Sequence, residues 1–279
     1  MGRSKALILA TLVAAGASSA AFGADLLPPP PLLEPPPPMD VGGGWYLRGD
    51  VGVGAVQMSN WRSTLQPFDE TGQSFANSGN YFVPAFADIG DTTFAGVGVG
   101  YQFNHWFRAD ITGEYRTEAT YRAGIAGANP YPLPGGWTGF DTYNGGVSTA
   151  LFMANGYFDL GTWHCITPFI GGGVGIAANK FAGLTDSGGG VANDATPTNF
   201  AWAVMAGLAL NVTPNLKIEL GYRYLDTGKI SSNPIQCLQP QGCWQERHSF
   251  DLASQDVRLG LRYAFGGAPA PMGPLVTRY

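Results

Sequence analysis

Apolar and polar residues alternate with a period of two in eight stretches of this chain. That period belongs to β-strands, whose successive side chains point to opposite faces of a sheet. The clearest case is Asn215–Gly228: Leu216, Ile218, Leu220, Tyr222 and Tyr224 share one face, and Lys217, Glu219, Gly221, Arg223 and Leu225 the other. The first stretch carries Trp45, Leu47, Gly49, Val51, Val53 and Ala55. The second carries Ala95, Val97, Val99, Tyr101 and Phe103, and the third Phe107, Ala109, Ile111, Gly113 and Tyr115. In the fourth, about 146–160, the pattern favours Ala150, Phe152, Ala154 and Phe158 outward, with Asn155, Tyr157 and Asp159 inward. Ile166–Ile176, Phe200–Leu210 and Val257–Phe265 supply the fifth, sixth and eighth.

The connections alternate in length. Long polar segments run over about 57–92, 118–144, 179–198 and 226–251, whereas Asn104-His105, Gly161–His164 and Thr213–Asn215 are short turns. We expect an all-β fold: an eight-stranded antiparallel transmembrane β-barrel with four long outer loops and short periplasmic turns. Segments of roughly 10–14 residues are long enough to cross the hydrocarbon when tilted.

The two faces decide the orientation. Twelve charges share the inner face: Arg48, Asp50, Arg108, Asp110, Glu114, Arg116, Lys217, Glu219, Arg223, Asp256, Arg258 and Arg262. Opposite them stand Val, Leu, Ile, Ala, Gly and aromatics. Charge inside and oil outside is the reverse of a soluble barrel, and a Lys or Arg at the midplane of a lipid face costs about 2–4 kcal/mol. Composition agrees. Charged residues make up only 13%, against about 25% in soluble domains.

The ends supply the address. Arg3 and Lys5, the apolar run Ala6–Val13 and the small residues before Gly23 form a secretory signal over residues 1–23. Losing Arg3 and Lys5 takes the formal charge from −5 to −7, and there is no basic cluster, so nucleic acid is not an expected partner. Residues 24–42 contain Pro28–Pro31 and Pro35–Pro38 and read as a polyproline linker in the periplasm, ahead of a barrel over 43–265 and a periplasmic tail over 266–279.

Several segments resemble a known family: Trp45-Tyr-Leu-Arg-Gly49, Arg108-Ala-Asp-Ile-Thr-Gly-Glu-Tyr-Arg116, Ala154–Trp163, Thr167–Gly175, Leu220-Gly-Tyr-Arg-Tyr224 and Val257–Phe265. The chain is similar to the small outer-membrane β-barrel proteins of alphaproteobacteria, known as outer-membrane immunogenic proteins or opacity-like porins. The resemblance implies location in the cell outer membrane and a role as surface antigen and envelope structural protein. It departs from the pattern at the end, where Gly266–Tyr279 follows the aromatic Phe265. Expected partners are outer-membrane lipid and lipopolysaccharide, the barrel assembly machinery, and host or surface ligands met through the loops.

Candidate chemistry is sparse. An eight-stranded barrel is just wide enough for its interior to be filled by side chains, so the twelve charges are expected to plug the lumen; the rival reading is a narrow porin for small solutes. Cys237 and Cys243 flank Leu-Gln-Pro-Gln-Gly in the fourth outer loop and suit a disulfide in an oxidising compartment. Cys165 remains alone. His105, His164 and His248 are scattered without ligand spacing, and no nucleophile–base set assembles, so no cofactor, metal or enzymatic activity is expected. Relatives described as binding haem direct attention to His248 beside Trp244 and Arg247, although the residue itself reads as a loop histidine. A third reading is therefore a surface receptor or adhesin for haem or a host component. The loop aromatics Trp61, Phe68, Phe75, Tyr81, Phe82, Tyr131 and Trp137 are candidates for surface contact.

Overall fold

Eight long strands close into a ring in the computed structural model, which describes residues 44–64, 81–128, 140–237 and 246–265. The strands in chain order are β1 (Gly44–Ser63), β2 (Tyr81–Ile89), β3 (Thr92–Gln102), β4 (Phe107–Ala128), β5 (Phe140–Asp159), β6 (Ile166–Asp186), β7 (Gly190–Ala192), β8 (Thr198–Asn211), β9 (Leu216–Ser231), β10 (Ile235–Cys237) and β11 (His248–Phe265). The ring runs β1-β3-β4-β5-β6-β8-β9-β11, with every pairing antiparallel, and β11 returns to β1 through pairs such as Leu47↔Tyr263 and Val51↔Leu259. Closure leaves no unpaired strand edge where no water is available to satisfy it. The signal, linker and tail segments and the side chains of the Cys237–Cys243 pair lie outside the described residues.

The outward face is an apolar belt. Trp45, Val97, Ile111, Phe152, Val174, Phe200, Val204, Leu220 and Leu259 all point away from the lumen and are exposed. Aromatics crowd its periplasmic margin, where Trp45 meets Tyr101 edge-on at 5.3 Å and Trp106 stacks on Phe158 at 5.7 Å. Such girdles mark the membrane interface. On the fourth ring strand, Phe152 and Phe158 are exposed, and Asn155, Tyr157 and Asp159 are buried.

Four segments expected to be loops are partly strand. Residues 57–63 continue β1, 81–89 form β2, 117–128 continue β4, 179–186 continue β6 and 248–251 begin β11. The reason is local. Asn60, Gly183 and Gly228 have positive φ, and the pairing register shifts between Ser59 and Arg62, between Arg116 and Ala119, and between Leu252 and Ala253. A bulge adds one residue to one strand, and a shift of one moves side chains to the other face. The alternation therefore breaks where the strand does not.

Beyond the belt the strands enclose a second core. Tyr121, Ile125, Tyr143, Phe181, Ile230 and Phe250 are buried together there, with Trp61 packed against them. Tyr121 stacks on Phe250 at 5.4 Å and meets Phe181 edge-on at 5.0 Å. Trp61 thus belongs to β1, and Tyr81 and Phe82 begin β2; Phe68, Phe75, Tyr131 and Trp137 lie outside the described residues.

Candidate functional site

Inward side chains of β1, β4, β9 and β11 supply the charges of the lumen. Glycines on the same face make room for them: a Cβ on Gly100 would lie 2.5 Å from the Tyr46 hydroxyl, and one on Gly54 would lie 2.5 Å from Asp256 Oδ1. The inward glycines of β1 and β3 thus make space for these side chains.

The charges form two layers. In the periplasmic layer, Arg48 grips Asp50 through Nε and Nη2, both at 2.8 Å, and donates from Nη1 to Asp110 and to the Tyr157 hydroxyl, also at 2.8 Å. Asp110 also accepts from Tyr46 and from Asn155, at 3.1 and 2.8 Å. Glu219 is the hub: its carboxylate lies 2.8 Å from Arg262, 3.3 Å from Arg108 and 3.4 Å from Arg48. Arg108 is fully buried, 3.3 Å from Asp159, with its guanidinium 4.1 Å above the Tyr157 ring and 5.0 Å from that of Phe169.

In the outer layer, Arg116 forks onto Asp256 at 2.7 and 2.9 Å, and Arg223 spans Glu114 at 2.8 Å and Asp256 at 2.7 Å. Arg116 also reaches Glu114 at 3.1 Å, and the Phe94 ring lies beneath both guanidinium groups, at 4.9 and 5.1 Å. Forked Arg–carboxylate pairs add geometric specificity to charge.

Two of the twelve charges stand apart. Arg258 is buried, 3.4 Å from the Tyr157 hydroxyl, and forms no ion pair among the described residues. Lys217 is half-buried at the periplasmic end and likewise forms none. Three network members were not counted among the charges: Asp159, Tyr46 and Tyr157. Alternation places all three inward, so an inventory of inward polar side chains rather than of charged ones finds them. The lumen is also one-sided. Leu151, Met153, Phe169, Ala203 and Met205, from β5, β6 and β8, form an apolar wall facing the charges.

Above these layers sits a buried polar chain that sequence reading placed in a loop. His248 begins β11 and is fully buried. Its Nδ1 lies 2.8 Å from the Tyr121 hydroxyl, and its Nε2 lies 2.8 Å from Glu246 Oε1. Trp61 Nε1 donates to the Tyr121 hydroxyl at 2.7 Å, and His248 Nε2 carries the hydrogen that the acceptor-only Glu246 carboxylate takes. Ser63 and Tyr143 also donate to Glu246, at 2.5 and 2.7 Å. Burial, reinforced by the Glu246 carboxylate, pushes the phenols of Tyr121 and Tyr143 well above the ordinary range. With both ring nitrogens engaged, His248 offers no free ligand atom to haem, and the loop-histidine reading is corrected to a core histidine. Among the described residues no cluster of three or more His, Cys, Asp or Glu side chains is arranged to hold a metal ion.

A closed ring of amphipathic strands, with an oily exterior and an ion-paired interior, defines an outer-membrane β-barrel. The chain belongs to the outer membrane protein beta-barrel domain family, which it matches over residues 7–265. Its relatives include an uncharacterised protein of Brucella abortus, 34% identical over 260 residues, spanning 80% of this chain and 85% of that one. The outer membrane protein PagN of Salmonella typhimurium is 28% identical over 240 residues, spanning 80% and 90%. A candidate adhesin of Rickettsia felis is 26% identical over 230 residues, spanning 81% and 89%. The protein resides in the cell outer membrane, surrounded by its lipid.

Proposed function

We propose that this protein is a structural barrel and surface antigen of the envelope, its lumen closed by its own side chains and its outer β-extension holding loops for surface contact. The observation that carries this reading is the core of the extension. Fully buried Tyr121, Tyr143, Phe181, His248 and Phe250 lie over the outer mouth of the lumen. A rigid platform of this kind serves presentation of loops, whereas a solute channel needs an open vestibule. Ten of the twelve lumen charges are ion-paired, which also favours a filled interior over a hydrated path.

Conductance of the purified barrel in a planar bilayer tests the closed lumen. The expected result is silence; steady openings of porin size overturn it in favour of the narrow porin. Contact with a host or other surface is a second reading, favoured by the likeness to the Rickettsia felis candidate adhesin. Exchanging residues 65–80 and 129–139 for short Gly-Ser turns should abolish cell attachment and leave the barrel folded; unchanged attachment rejects it. Cleavage after Gly23, the 24–42 linker, the periplasmic 266–279 tail, folding by the barrel assembly machinery and a Cys237–Cys243 disulfide belong to the same proposal. Mass spectrometry without reductant reads the disulfide directly, and two free thiols would remove it.

A further inference from the structure

Lys217 and Arg262 are direct partners across β9 and β11 at the periplasmic end of the lumen. Like charges placed opposite each other in a sheet repel, so this pairing needs a compensating group. The carboxylates nearby are already shared. Glu219 Oε1 lies 2.8 Å from Arg262 Nε and 3.3 Å from Arg108 Nη2, both as ion contacts rather than aligned hydrogen bonds. Its other oxygen faces Arg48 at 3.4 Å. Asp159 lies 3.3 Å from Arg108 Nε.

Arg108 and Arg262 therefore take up the two carboxylates, Glu219 and Asp159, while Lys217 pairs with neither, and the three cations lie within electrostatic reach of one another. Donors are left over as well as charge. Arg108 Nη1 and Arg262 Nη2 are buried with no hydrogen-bond partner, in residues 0% and 3% exposed. A buried donor without an acceptor, and a buried charge without a partner, are the costly cases. Water can accept from the two guanidinium groups, but it cannot cancel the surplus positive charge.

We propose that the periplasmic end of the lumen is a binding site for a small inorganic anion, held by Lys217, Arg262 and Arg108. Access is from the periplasmic side, where Lys217 is half-buried. Depth is limited by Glu219 and Arg48 behind it. The flanks are occupied: Gln102 Oε1 accepts from Arg262 Nη1 at 2.8 Å, and Phe169 lies against Arg108. With the flanks filled in this way, the ion such a site would take is monatomic, of chloride size, rather than an organic phosphate. The site is compatible with a closed lumen, and its test is separate from the conductance test.

The test uses the full chain in non-ionic detergent, with sodium chloride exchanged for sodium gluconate at constant ionic strength. Chloride should raise the melting midpoint saturably, by on the order of 5 °C at a hundredfold excess over its dissociation constant. Gluconate, too large for the site, should not. Lys217→Met removes one cation without breaking an ion pair and should melt at a midpoint independent of chloride; heat-modifiable migration on a gel confirms that the variant has folded. Equal midpoints in the two salts, or an undiminished chloride response in Lys217→Met, overturn the proposal. If Lys217→Met fails to assemble, the wild type decides alone by 35Cl line width: broadening that bromide competes away supports the site, and none beyond empty micelles removes it.

Discussion

Glu219→Gln is the sharpest perturbation of the lumen, because it removes a charge while keeping shape. Glu219 is 2% exposed and touches three guanidinium groups. They do not depend on it equally. Arg48 keeps Asp50 and Asp110, and Arg108 keeps Asp159, but Arg262 retains only the neutral Gln102 oxygen. The loss therefore concentrates on one guanidinium left buried without a carboxylate, a situation that costs about 3–5 kcal/mol. For a barrel of this length each kcal/mol moves the midpoint by about 2–4 °C, so melting should fall by roughly 6–20 °C. Circular dichroism in detergent at a fixed scan rate reads the shift, since the midpoint is rate-dependent if unfolding is irreversible. Glu219→Gln combined with Arg262→Met removes both charges of the pair and should recover most of it, because the guanidinium left without a carboxylate is then gone. A single variant within about 2 °C of the parent, or a double variant no better than the single, refutes the argument that these charges hold the lumen together.

His248→Phe keeps ring volume but removes two buried hydrogen bonds, leaving Tyr121 with Trp61 alone and Glu246 with Ser63 and Tyr143. It should weaken the outer extension by about 1–3 kcal/mol, seen as faster proteolysis of 117–128 with the membrane-band strands still protected; equal cutting rates count against the chain of bonds. The raised phenols of Tyr121 and Tyr143 predict a response to alkali. Their folded values exceed the unfolded value of about 10, so the stability they lend is complete below that pH and drains away as pH rises further. Absorbance at 295 nm should show no phenolate from these two in the folded protein at about pH 10, read as the difference from a Tyr121→Phe, Tyr143→Phe variant. Val97→Arg, at an outward position 70% exposed in the middle of the belt, should cost about 2–4 kcal/mol in folding into lipid vesicles. Thr120→Arg, outward on the extension, should cost under about 0.5 kcal/mol, and equal costs would misplace the membrane.

Ring order, facing and address were legible because lipid imposes one rule on every strand. Phe152 and Phe158 outward against Asn155, Tyr157 and Asp159 inward could be read from alternation even in a glycine-rich segment. Three things were not legible. The first was strand length, because one extra residue at Asn60, Gly183 or Gly228 reverses the parity that alternation depends on. The second was His248, whose surroundings come, besides the neighbouring Glu246, from 61, 121 and 143, far apart in sequence until β1, β4, β5 and β11 are brought together. The third was the apolar half of the lumen, since Met153, Phe169 and Met205 look the same in sequence whether they meet lipid or an inner wall.

The outer strands become intelligible once solvent is followed along them. On β4, Arg108, Asp110 and Arg116 point inward while Ile111 and Tyr115 point outward; past the register shift, Tyr121, Ala123 and Ile125 point inward, and Thr120 and Arg122 point outward. On β11 the inward Asp256, Arg258 and Arg262 give way to inward Phe250 and Leu252. The alternation persists but its polarity inverts. In the membrane the outside must be oily, and the small interior can hold charges that pair. Above the membrane the outside is wet, so burial of apolar surface drives the oil inward, as in a soluble protein. The point of inversion, just past Tyr115 on β4, is therefore where hydrocarbon ends, and it accounts for the buried aromatic core beginning at that level. A strand that kept its membrane polarity beyond this point would expose apolar side chains to water and bury charges in the outer core, and both faces would be destabilised at once.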